Sequence, residues 1–297
     1  MRSPPTPDVV TFFTTFTFDP VALAVILVAA GLYALGIRSA ARNGVAWPMR
    51  PTLAFYLLGL GSFAWVEFGF LGTWSTDLRW AFSTRVALLL FAVPSLITLG
   101  RPVALARAAL SGLPAERLER ILGSHFVRIT GNAVFAPIVA LVGFMLFLTP
   151  LAAALREQPG WEVAITVLVP TVGLLMVLPI VETSLVRTGL FITAEFLLAF
   201  VELLLDAIPG LLLRLNEVVL DHAPAITGVL PGWFPNALHD QHLSGDFLWF
   251  IAEIADIPVL IILFVRWMRT DRREAKKMDE LSDEEMERLT QEHLRRQ

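Results

Sequence analysis

Cysteine is absent from all 297 residues, which excludes disulfides, thiolate metal sites, Cys-x-x-Cys redox or copper motifs and a cysteine nucleophile. Any metal would have to use His, Met or carboxylate. Charge is scarce as well: Asp, Glu, Lys and Arg supply 17% of the chain against 56% hydrophobic residues, too little for a water-soluble domain. No Gly-rich phosphate loop follows a strand, and neither Gly-x-Ser-x-Gly nor His-Glu-x-x-His occurs, so nothing points to an enzyme. The N-terminus lacks the basic region, short apolar core and small-residue cleavage site of a removable signal peptide. The formal net charge of -4 mixes loops from opposite sides of a bilayer and points to no nucleic-acid partner.

What is present is long apolar runs. The mean hydropathy is +0.66, and the apolar residues fall in blocks of roughly 20, the length that crosses about 30 Å of hydrocarbon. Seven stretches qualify as spans: 20–37, 52–72, 82–100, 131–151, 163–181, 189–213 and 247–266. The expected fold is an all-α bundle of seven transmembrane helices over residues 1–270, in contact with lipid, followed by a charged helical tail over 271–297. Arg38, Arg42, Arg50, Arg101, Arg107, Arg117 and Arg120, and the run from Arg266 to Lys277, all fall on one face. Because cytoplasmic loops are enriched in Lys and Arg, the N-terminus is expected outside and the C-terminus inside.

Three segments read as neither spans nor plain loops. Leu113-Pro114 opens an interfacial helix in which Leu118, Ile121 and Leu122 oppose Glu116, Arg117, Glu119 and Arg120. The segment from Leu215 to Gly245 carries Trp233, Phe234 and three of the five histidines, and suits a cap at the membrane interface. The tail restarts at Ser282, with Glu285 three residues on as a capping box.

Ionisable residues inside spans are functional candidates because a charge at mid-bilayer is costly. Glu67 lies near the outer end of the second expected span and Arg85 near the outer start of the third, so the two should share a depth, as a structural ion pair or an electrostatic gate. Glu195, Glu202 and Asp206 stand seven and four apart and so share one helical stripe. Asp246, Glu253 and Asp256 repeat the arrangement at spacings of seven and three, with Pro258 loosening the backbone just beyond. The two stripes could line a cation-accepting cleft or hydrogen-bond helix to helix as protonated carboxyls. On a helical start His239, His242 and Asp246 share a face, giving two imidazoles and a carboxylate for a divalent or copper ion. His222 could join them from the same segment.

A series of short motifs resembles one known family. Asp240-Gln241-His242-Leu243-Ser244-Gly245, Trp249, Asp256-Ile257-Pro258 and the run Arg266-Trp267-Met268-Arg269-Thr270-Asp271-Arg272-Arg273 resemble the last span of the CtaG family of cytochrome c oxidase assembly factors. Phe18-Asp19-Pro20, Leu32-Tyr33-Ala34-Leu35-Gly36, Trp47-Pro48, and Pro94 to Val103 match it in the same order. The resemblance implies a multi-pass protein of the bacterial plasma membrane that helps to mature a haem-copper oxidase, in partnership with oxidase subunits and handling copper at the outer face. One departure stands out. Where the family usually carries His-Met-x-x-His in the third span, this chain reads Phe82-Ser83-Thr84-Arg85-Val86, with a guanidinium between the positions of both expected imidazoles. Like charge repels a copper ion there, so a copper role would fall to His239, His242 and the acidic stripes. The expectation is therefore a non-enzymatic oxidase assembly factor. A cation or proton transporter using the acidic stripes and a copper-independent partner subunit are the alternatives.

Overall fold

The first two helices start where an aspartate side chain satisfies free backbone N–H groups. A computed structural model describes residues 8–130, 135–182, 189–220 and 236–279. A short helix, α1 (Val9–Thr14), is capped by Asp8. The first long helix, α2 (Pro20–Arg42), begins at the Asp19-Pro20 pair: one Asp19 oxygen accepts from Val21 N at 2.7 Å and Ala22 N at 3.2 Å, while Pro20 occupies a position whose N–H needs no partner.

Next come α3 (Met49–Trp74) and α4 (Arg79–Thr98), each long and apolar enough to cross a membrane. Both contain a π-helical stretch, Ala54–Leu60 in α3 and Leu88–Ala92 in α4. In α4 the stretch precedes Pro94, which has no N–H to continue the regular ladder. A further break in α3 falls at Gly69, where the backbone turns extended before Phe70–Trp74 resumes the helix. After α4 the chain reverses through Arg101, at φ 53 the one non-glycine with positive φ among the described residues. It then enters α5 (Pro102–Ala109), which lies against α2: Tyr33 Oη donates to Gly100 O at 2.7 Å and Ser39 Oγ to Ala109 O at 2.6 Å. The expected amphipathic helix is present as α6 (Leu113–Leu122) and buries none of its residues. A short helix, α7 (His125–Thr130), follows.

The fourth apolar block does not run straight. Helix α8 (Phe135–Met145) passes through a 3₁₀ turn at Leu146–Leu148, and beyond Pro150 the chain turns by 87° into α9 (Leu151–Glu157). The chain continues as α10 (Pro159–Glu182), α11 (Gly189–Leu215) and α12 (Ala237–Asp279). No strand occurs among the described residues. Four helices there are long and apolar enough to cross a membrane, α2, α3, α4 and α10, or five if the bent α8–α9 pair is one span. Of the seven expected spans, four or five are thus matched among the described residues. Stretches 189–213 and 247–266 fall on α11 and α12, where many side chains lie outside the described residues. Helix α12 also starts ten residues before the expected span and continues unbroken past residue 270. Ser282 and Glu285 lie outside the described residues, as do His222, Trp233 and Phe234.

The core sits where α3, α4, α8 and α10 converge, around Phe63, Phe82, Leu89, Phe144, Phe147 and Ile165. Glycines set the closest helix approaches. A Cβ on Gly173 of α10 would overlap the Leu90 carbonyl of α4, and one on Gly59 of α3 would lie 3.0 Å from the Ile97 backbone. Helices α11 and α12 run side by side and cross at Gly210 and Gly245, whose backbones touch. Leu27, Val28, Leu32 and Leu35 on α2 are exposed, as suits side chains whose solvent is lipid.

Candidate functional site

Two polar nodes gather at one end of the bundle, where α2, α10 and α12 begin and α3 turns into α4. The first is built on Arg85, one and a half turns into α4 and 2% exposed. Its Nη2 donates to Glu67 Oε2 at 2.6 Å and to Thr166 Oγ1 at 2.9 Å, and its Nη1 donates to Ser75 Oγ at 3.2 Å. Glu162 Oε1 stands 3.9 Å from Nη1, near the solvent edge. Glu67 is 1% exposed, and its second oxygen, Oε1, has no hydrogen-bond partner among the described residues; nor has Arg85 Nε. Burying this pair strips both ions of water, so it persists because three hydroxyl and carboxylate acceptors surround the guanidinium. Beside it lies a cavity of about 450 Å³ lined by Asp19, Thr73, Thr76 and Glu162 as well as the pair.

The second node ties the start of α12 to the start of α4. Leu78 precedes α4 and offers no side-chain cap. Instead Asp240, 161 residues on, accepts from Arg79 N at 2.9 Å through Oδ2 and, 160 residues on, from Trp80 N at 3.0 Å through Oδ1. A carboxylate from another helix thus satisfies two of the free N–H groups of α4 and sits at the positive end of its dipole. Gln241 accepts from Arg79 Nη1 at 2.8 Å and from Leu220 N at 2.9 Å, and its amide donates to Val218 O at 3.1 Å. Arg79 Nη2 reaches Phe147 O at 2.6 Å, and Ser244 Oγ donates to Ser83 Oγ at 2.8 Å. Burial pushes the Asp240 carboxyl above its ordinary value, opposed by the N–H bonds from Trp80 and Arg79 and by the Arg156 and Arg79 charges. Asp77, in the turn before α4, is likewise raised by burial, with Arg156 opposing.

The expected metal ligands go separate ways around this clasp. His239 is exposed. His242 Nε2 donates to the Asn216 carbonyl at 3.1 Å, leaving Nδ1 as its one ring nitrogen for any other partner. Asp246 is ion-paired with Arg214 at 3.1 Å. Among the described residues no three His, Asp or Glu side chains come together as a metal-holding group. In the acidic stripes Glu253 accepts from Trp249 Nε1 at 2.8 Å. The side chains of Glu195, Glu202, Asp206 and Asp256 lie outside the described residues.

Arg79, Asp240, Gln241 and Ser244 were not singled out from sequence for these roles. In the sequence Asp240 and Gln241 stand between two more conspicuous histidines. A legible signal existed in the pairing of an uncapped helix start at Leu78-Arg79 with an orphan Asp-Gln elsewhere at the same membrane level.

Comparison with known proteins agrees with the motif series. Uncharacterized proteins of Mycobacterium leprae, Mycobacterium bovis and Mycobacterium tuberculosis are each 27% identical over 291 residues, covering 94% of this chain. The chain covers 43% of the length of each of these curated relatives. No solved structure matches. The model of the cytochrome c oxidase caa3 assembly factor family matches residues 31–270, which take in α3, α4, the clasp and most of the cavity wall, and on this match the chain belongs to the Caa3_CtaG family.

Proposed function

We propose that this protein is a non-catalytic assembly factor of the bacterial plasma membrane that supports a haem-copper cytochrome c oxidase at the outer face without itself holding copper on His239, His242 and Asp246. The family match over residues 31–270 carries the assembly role. The copper-independent part is supported by the ligand geometry: His242 is engaged by a main-chain carbonyl, Asp246 by a guanidinium, and Arg85 occupies the place where the resemblance leads one to expect imidazoles. Orientation follows the same reading. Asp19, Asp77, Glu162 and Asp240 mark the end that carries both nodes, while Arg38, Arg42, Arg101 and Arg107 mark the opposite end, so the polar nodes face outward. There they can present a rigid surface to an oxidase subunit.

The test is complementation of a gene deletion by the wild type or by a His239→Ala, His242→Ala double variant, reading assembled oxidase from its haem spectrum and copper per oxidase by elemental analysis. Deletion should deplete the oxidase, and the wild type and the double variant should restore haem and copper alike. Full oxidase in the deletion strain would overturn the assembly role. Restoration of haem without copper by the double variant would overturn the copper-independent part.

A further inference from the structure

A second cavity, between α2 and α5, has almost nothing polar to offer. It measures about 530 Å³, within the size range of small-ligand pockets, and Leu174 and Leu178 of α10 complete its lining. Leu32 and Leu35 line it and are 66% and 60% exposed, so it opens on the surface that meets lipid. The polar side chains of its lining are those of Tyr33 and Ser39, and both are engaged inside the protein. Tyr33 Oη donates to Gly100 O and accepts from Trp47 Nε1 at 3.1 Å, and Ser39 Oγ donates to Ala109 O. Such a lining selects hydrocarbon. Along α2 it runs from Ala29 to Ser39, ten residues on, or about 15 Å at 1.5 Å per residue. That is half of the roughly 30 Å hydrocarbon core, the depth to which one acyl chain reaches.

Charge around this groove is one-sided. No Asp or Glu occurs from Pro20 to Val66 or from Leu78 to Ala115. Arg38 and Arg42 follow the groove residues Leu35 and Ser39 by three positions each, about one turn toward the end of α2, and Arg101 immediately precedes Pro102. All three are exposed, and none has a side-chain hydrogen bond or an ion pair among the described residues. Glu182, which ends α10, is one acid against three guanidiniums. Cations that the fold leaves unneutralised, beside a slot of acyl-chain length, complement a phosphate esterified to fatty acids.

We infer that this groove binds one acyl chain of an anionic phospholipid, with the headgroup phosphate drawn to Arg38, Arg42 and Arg101. The lipid comes from the leaflet at the arginine-bearing end. The site depends on neither the oxidase role nor the orientation of the chain, and it would stand if both failed.

The test is native mass spectrometry of the full-length chain in non-ionic detergent. The protein is titrated with dioleoyl phosphatidylglycerol and with dioleoyl phosphatidylcholine, which has the same chains and no net charge. Ala106→Phe puts a ring into the groove from α5, and Ala29→Phe does so from α2, so the acyl-chain part stays testable if one of them fails to fold. A triple variant, Arg38→Gln, Arg42→Gln and Arg101→Gln, removes the charge and leaves the apolar lining as it is. Wild type should bind phosphatidylglycerol at least about tenfold more tightly than phosphatidylcholine. A folded phenylalanine variant should lose at least about tenfold of that affinity, and the triple variant should bring the two lipids within about twofold. Equal binding of both lipids to wild type would overturn the inference by making the lipid an unselective neighbour. So would the absence of a stoichiometric adduct, a folded phenylalanine variant that binds like wild type, or a triple variant that keeps the preference.

Discussion

Replacing Asp240 tests whether the Asp240–Gly245 segment is a structural clasp. Asp240 is 3% exposed and its two oxygens accept the N–H groups of Arg79 and Trp80. Asp240→Ala leaves both donors buried without a partner, at about 1–3 kcal/mol each, and removes the negative charge from the start of α4. Burial of the ionised carboxyl already costs something, as its raised titration shows, so part of that loss is returned. A net destabilisation of about 2–4 kcal/mol results. Asp240→Asn keeps one acceptor oxygen and turns an amide toward the second N–H, so it should lose about half as much. The assay is thermal unfolding in detergent followed by tryptophan fluorescence. Trp80 reports directly, because its own N–H is capped and its ring packs at 5.7 Å on Phe70 and 5.3 Å on Phe247. At about 2–4 °C per kcal/mol the alanine variant should melt roughly 4–16 °C lower. His239→Ala, one residue away but exposed, should stay within about 0.5 kcal/mol of wild type. An Asp240→Ala protein that melts like wild type, or a His239→Ala protein that melts as low, would refute the clasp.

Other outcomes follow from the same geometry. Glu67→Gln should cost about 3–5 kcal/mol by leaving Arg85 buried without its charge partner, read as loss of folded protein by size-exclusion chromatography. Arg214→Ala should change thermal stability by less than about 1 kcal/mol, because its pair with Asp246 is half exposed and screened. Gly210→Ala puts a Cβ 2.7 Å from the Gly245 carbonyl oxygen and 2.8 Å from Trp249 Cβ, so it should push α11 from α12 and lower stability by about 1–3 kcal/mol. Asp77 binds its proton more tightly folded than unfolded, so its contribution to stability is present below its ordinary value of 3.8 and is lost as pH rises through the raised folded value. Asp77→Asn should therefore flatten the fall in melting temperature above that pH, and an unchanged profile would count against burial of this carboxyl.

Local features were readable because they depend on neighbours in the chain. The expected span over 20–37 starts where α2 does, because the Asp19 cap and Pro20 that open the helix act within three residues of the apolar run. Leu113-Pro114 likewise marked α6, and the charge pattern of that helix explains why none of its residues is buried. Glu67 and Arg85 could be matched in depth because they flank one short turn. Thr166 and Glu162, which complete the surroundings of Arg85, come from α10 about eighty residues on and were not readable. The bend between α8 and α9 escaped because apolar length is blind to direction, and proline and a 3₁₀ turn only bias it.

The histidines show the same division. Their spacing of three, with Asp246 four further on, placed them on one face of a helix, and α12 does contain them. Whether a shared face becomes a ligand set depends on what stands opposite. Asn216 and Arg214 on the α11 side take His242 and Asp246, and the less conspicuous Asp240 and Gln241 do the work of joining helices. Apolar block length, the absence of cysteine and the placement of arginines determined by themselves that the chain is a membrane-embedded helical protein without thiol chemistry, because partition into lipid is additive along the chain. Tertiary structure alone decided which polar groups meet, because a buried donor takes the acceptor that packing brings within about 3 Å, however far away it lies in sequence.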